Sequence, residues 1–133
     1  MPHRVNHIAI AVPDLAGALA FWRDALGLPL ERRETNPEEG VEIGFLALGE
    51  LRLELLQPLE PQNSIGRFLE KRGPGLHHMC VEVEDILASL AHLRGQGVEL
   101  INPTPRTRPD GVRYAFIHPR STGGVLLELY ELP

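Results

Sequence analysis

His7, Gln57, His78 and Glu128 supply two imidazoles, an amide and a carboxylate, and the chain repeats them in register with itself. An offset of 71 residues carries residues 6–14 onto 77–85, His7 onto His78 and Gln57 onto Glu128. The same offset aligns Val12 with Val83, Leu19 with Leu90, Arg23 with Arg94 and Phe45 with Phe116. Two nitrogens and two oxygens in symmetry-related pairs suit a divalent ion of borderline softness, with two coordination positions left for water or substrate. A lone histidine on a strand is more often a hydrogen-bonded structural residue than a ligand. Independent structural histidines have no reason to coincide under one offset, so the repeat favours a metal site.

The elements that must hold these residues follow the same repeat. Each copy runs from an alternating strand to an Asp in N-cap position, an apolar-periodic helix, a Gly stop and three further strand-like runs. The predicted fold is α+β, with tandem βαβββ modules forming one curved mixed sheet, helices outside and a metal-binding cleft inside, as a single domain over residues 1–133. Module 1 spans about 5–58, a linker helix region 59–75, and module 2 about 76–131. In module 1 the strands fall near 5–12, 29–34, 41–48 and 51–57, with a helix over 14–26. Ser64 is expected to cap a short helix over 65–72. In module 2 the strands fall near 77–83, 98–101, 112–117 and 124–131, the helix runs over 85–96, and 102–111 is the longest loop.

Side chains alternate faces along a strand, which separates the adjacent histidines. Met79, Val81 and Val83 share His77's side, while His78 goes with Cys80 and Glu82. His7 likewise goes with Ala9 and Ala11, opposite Ile8, Ile10 and Val12. Bulky apolar sets pack under helices, so His7 and His78 are expected in the cleft beside small residues. Leu127 and Leu129 take the helix side, which turns Glu128 and its repeat-mate Gln57 to the cleft. By the same rule Val41, Ile43 and Phe45 are the buried set and Glu42 faces the cleft.

Acids outnumber bases 18 to 13 without a run of like charge, and no apolar run approaches the roughly 18 residues of a membrane span. Nucleic acid and membrane are therefore not expected partners. The N-terminus leads directly into a strand without a signal-peptide pattern, and the single Cys80 can form no internal disulfide. A cytoplasmic protein is expected.

These residues resemble the vicinal oxygen chelate superfamily, which includes glyoxalase I, extradiol dioxygenases and bleomycin-resistance proteins, and within it most of all the methylmalonyl-CoA epimerases. The resemblance rests on His7-Ile-Ala-Ile-Ala-Val-Pro-Asp-Leu15, Leu53-Glu-Leu-Leu-Gln-Pro58, Phe68-Leu-Glu-Lys-Arg-Gly73, Gly75-Leu-His-His-Met79 and the stretch from Phe116 to Leu129 that contains His-Pro-Arg-Ser-Thr-Gly-Gly. It implies interconversion of (2R)- and (2S)-methylmalonyl-CoA by α-proton abstraction, with His7, Gln57, His78 and Glu128 as metal ligands. The implied ion is divalent, Co2+ first, with Mn2+, Ni2+ or Zn2+ as alternatives. A homodimer is the family expectation.

Inversion needs acid–base groups on both faces of a planar enolate. Glu128 is expected to be one. The second is assigned to Glu42, although a gapless match to several epimerases places Ile43 there. Arg106, Arg108 and Arg120 lie on loops where they could meet the phosphates of an acyl-CoA. A glyoxalase I-type enzyme, an extradiol-type Fe(II) dioxygenase using His7, His78 and Glu128, and a metal-free binding protein are the alternatives.

Overall fold

A computed structural model describes residues 1–133. The chain packs as two compact units, one of His7–His77 and one of Met1–Asn6 with His78–Pro133.

The first unit follows the predicted module. It holds β1 (Pro2–Ala11) from His7 onward, β2 (Leu30–Asn36), β3 (Val41–Leu48) and β4 (Leu51–Pro58), in the order β2-β3-β4-β1. The β3–β4 hairpin closes through Gly49-Glu50, where Gly49 takes a φ of 61°, a conformation that glycine adopts without steric cost. β4 then returns parallel to β1. Helix α1 (Leu15–Leu19) is capped by the Asp14 carboxylate, which accepts from Gly17 N–H, and continues into a π-helical turn at Ala20–Ala25.

Both faces of this half-sheet are covered. On one, Leu15 and Leu19 of α1 pack with Val12, Leu46, Leu53 and Leu55. On the other, Ala9, Ala11, Val41, Ile43, Phe45 and Leu56 pack with Ile65 of helix α2 (Ser64–Arg72), flanked by Phe68 and Leu69. Burying one such leucine or isoleucine contributes about 1.5–3 kcal/mol. Asn63, not Ser64, caps α2, its Oδ1 accepting from Gly66 N–H at 2.9 Å.

The second unit repeats the pattern with β5 (Gly75–Val83) from His78 onward, β6 (Arg106–Thr107), β7 (Arg113–Ile117) and β8 (Leu127–Glu131) in the order β5-β8-β7-β6, and helix α3 (Ile86–Gly95) capped by Asp85. Ile86 and Leu90 cover a core of Val83, Ala115, Ile117 and Leu129. The strand expected at 98–101 is reduced to a single bridge, Leu100 with Ile117, because Pro103 and Pro105 follow at once and proline cannot donate to a ladder. Pairing resumes instead at β6, inside the expected loop, where Arg106 and Thr107 face Tyr114 and Arg113.

Candidate active site

Each unit carries a histidine whose ring nitrogen lies 3.3 Å from a glutamate on a parallel neighbouring strand. In the first unit, parallel pairing puts Ala9 opposite Glu54, and His7 Nδ1 lies 3.3 Å from Glu54 Oε2. The two side chains are 2% and 13% exposed. Ala9 and Ala11, fully buried, follow His7 on the same face.

In the second unit, parallel pairing puts Cys80 opposite Glu128, and His78 Nε2 lies 3.3 Å from Glu128 Oε1, with exposures of 8% and 5%. The strand positions correspond: in each unit the histidine stands two residues before the small residue that faces the glutamate. Phe116, the cross-strand partner of Glu128, sets its ring edge-on to His78 at 5.6 Å.

The expected partner of Glu128 was Gln57, and the structure corrects this. On β4, Gln57 shares alternation with Leu53 and Leu55, which pack under α1. Its Oε1 accepts the Leu15 N–H at 2.7 Å, satisfying a free donor of the first turn of α1. The true counterpart of Gln57 is Glu131, whose Oε2 accepts the Ile86 N–H of α3 at 2.8 Å. Phe45 pairs with Glu54 and Phe116 with Glu128, so the 71-residue offset holds as far as β7 and then lengthens. The connection containing the 3-10 turn Pro119–Ser121 is three residues longer than its equivalent at Gly49-Glu50. With that insertion allowed, Leu53-Glu54-Leu55 aligns with Leu127-Glu128-Leu129, a signal already present in the sequence.

The placement of Glu42 is corrected by the same geometry. Val41, Ile43 and Phe45 lie on the face of His7, while Glu42 shares the side of Gly44 and Leu46 that α1 covers. Arg33 Nε donates to Glu42 at 3.0 Å, and its Nη2 pairs with the same oxygen. β3 is apolar on both faces, so alternation separates its two sets without telling which one faces the helix.

The remaining candidates separate clearly. His77 meets Phe68 edge-on at 5.0 Å. Arg108 donates to Tyr130 Oη at 2.8 Å, and Tyr130 follows Glu128 by two residues on the same face. Arg106 is exposed opposite Tyr114. Arg120 is 73% exposed and paired with Glu99 at 3.0 Å. Glu82, further along β5 on the His78 side, is buried and accepts from Asn6 Nδ2 at 2.9 Å.

An imidazole nitrogen beside a buried carboxylate is half of the donor set a divalent ion of borderline softness takes, and a cation relieves the cost of burying the acid. The residues fit such an ion. A family model described as the Glyoxalase/Bleomycin resistance protein/Dioxygenase superfamily matches residues 6–116.

The chain belongs to this superfamily. Within it, the chain is similar to a protein of Mus musculus named methylmalonyl-CoA epimerase, mitochondrial, at 39% identity over 96% of this chain and 72% of the relative. An ethylmalonyl-CoA/methylmalonyl-CoA epimerase of Cereibacter sphaeroides is 40% identical over 97% of this chain and 98% of its own length. A solved methylmalonyl-CoA epimerase in complex with methylmalonyl-CoA and NH4+ superposes with a TM-score of 0.89 at 33% identity, covering 99% of this chain and 96% of the other. The mixed-sheet α+β fold of this superfamily member is thus that of an enzyme solved with its thioester. No helix is long and apolar enough to cross a membrane.

Proposed function

We propose that the protein is a metal-dependent epimerase that interconverts (2R)- and (2S)-methylmalonyl-CoA. The observation that carries the chemistry is the duplicated His–Glu pair. The likeness to epimerases over nearly the whole chain supports the substrate.

His7, Glu54, His78 and Glu128 are the proposed ligands, with Glu54 replacing Gln57 in the set. When bound, a divalent ion such as Co2+ supplies Lewis-acid stabilisation to the charge that develops as the α-proton leaves. Glu128, held against His78, takes the proton from one face of the α-carbon. Glu54, held against His7, serves the other face in place of Glu42, whose carboxylate is committed to Arg33. Cys80 stands across the strand pair from Glu128 and Ala9 from Glu54, with Phe45 and Phe116 as the apolar cross-strand neighbours of the two acids.

A cytoplasmic homodimer is part of the same reading. Phe21 and Leu26, each 54% exposed, are among the exposed large apolar groups available to a subunit contact.

Incubating the Co2+- or Mn2+-loaded protein with one epimer of methylmalonyl-CoA in D2O tests the assignment. Metal-dependent loss of the α-proton signal together with appearance of the other epimer is the expected result. Two carboxylates in the ligand set also suit glyoxalase chemistry. Turnover of a glutathione hemithioacetal with no exchange on the acyl-CoA would transfer the protein to that reaction.

A further inference from the structure

The two copies of the module treat one aromatic position differently. Phe45 and Phe116 correspond in the repeat, and each stands directly across an antiparallel pair from a glutamate, Glu54 and Glu128. Phe45 is 6% exposed, packed with Ile43, Leu56 and Ile65, and Arg32 lies 4.0 Å over its ring. Its face is filled by α2. Phe116 is half-buried and belongs to none of the hydrophobic clusters of its unit, although its neighbours Ala115 and Ile117 are both core. Its ring stands edge-on to His78 at 5.6 Å and to Tyr114 at 6.3 Å.

A large apolar ring that keeps part of its surface accessible beside a buried acid and imidazole offers that surface to an apolar group. We infer that Phe116 is a specificity-determining residue, the wall against which the α-alkyl group of the acyl thioester rests, and that it sets the largest alkyl group the site accepts. This rests on the epimerase reading and adds to it the origin of substrate size selection. Alkyl and aromatic surfaces pair without polar groups, and the cross-strand position fixes the ring at the height of the Glu128 carboxylate that meets the α-proton.

The test compares methylmalonyl-CoA with ethylmalonyl-CoA in the wild type and in Phe116→Leu and Phe116→Ala. Exchange in D2O gives kcat/KM, and calorimetry gives binding of propionyl-CoA and butyryl-CoA to the metal-free protein. One methylene against a pocket wall shifts selectivity by roughly 10–200-fold. Phe116→Ala should raise the ethyl-to-methyl ratio of kcat/KM at least about 10-fold, with Phe116→Leu between it and the wild type and binding of the four-carbon thioester strengthened relative to the three-carbon one. The leucine variant keeps the strand's apolar character and serves if the alanine variant unfolds. An unchanged ratio, with both substrates losing equally, overturns the wall and leaves Phe116 as support for His78. A wild type that neither binds nor turns over any of these thioesters overturns the wall and the epimerase reading together.

Discussion

Glu54 Oε2 lies 3.3 Å from His7 Nδ1, while Gln57, three residues further along the same strand, turns its amide oxygen to the Leu15 N–H at 2.7 Å on the opposite face. One strand thus supplies a ligand-type acid to one side and a helix anchor to the other. The two roles are separable by mutation. Glu54→Ala should weaken Co2+ binding at least about 100-fold, beyond the loss seen on removing groups that merely orient ligands. Gln57→Ala should leave Co2+ affinity within a factor of two or so and cost about 1 kcal/mol, as losing a helix N-terminal cap does. Titration calorimetry with urea unfolding reads both.

Glu42→Gln is expected to leave turnover intact. Its carboxylate bonds to a half-exposed arginine, and such surface pairs contribute about 0–1 kcal/mol. A fall in epimerisation of about 100-fold or more would return Glu42 to the mechanism.

The two proposed acid–base glutamates should fail differently from a structural residue. Glu128→Gln and Glu54→Gln each keep the shape of the side chain and remove its basicity, and each should lower epimerisation by about 100-fold to 10,000-fold. Whichever acid first takes the proton of a given epimer is needed for deuterium exchange from that epimer. Exchange rates measured separately from (2R) and (2S) substrate should therefore fall asymmetrically, with opposite preference in the two variants.

Gly66 tests the packing that fills the first unit. A Cβ there would collide with the Pro61 carbonyl oxygen, and backbone cannot yield as a flexible side chain can. Gly66→Ala should destabilise the fold by about 1–3 kcal/mol, seen as a lower urea midpoint, because α2 must lift and with it Ile65 from the Phe45 core.

Much of this was legible in the residues. The repeat identified His7 and His78, alternation chose His78 over His77, and Asp14 and Asp85 marked the starts of equivalent helices, since helix caps and two-residue periodicity are local properties written into consecutive side chains. Where both faces of a strand are apolar, local pattern loses its direction. β3 reads equally well either way, and only its pairing with β2 and β4 turns Glu42 toward Arg33 and Ile43 toward Ala9.

The sequence by itself determined the duplicated βαβββ plan and pointed to His7, His78 and Glu128, because periodicity, caps and a shared offset survive without any knowledge of long-range contacts, while its motifs carried the resemblance to the family. Tertiary structure decided that Glu54 stands against His7 while Gln57 anchors a helix, a pairing that the match of Leu53-Glu54-Leu55 to Leu127-Glu128-Leu129 shows only once the longer β7–β8 connection is allowed for, and that Phe45 is buried while Phe116 keeps part of its surface accessible. The physical reason is register: three extra residues between β7 and β8 shift the pairing of distant strands, and a side chain's face depends on that pairing rather than on its immediate neighbours.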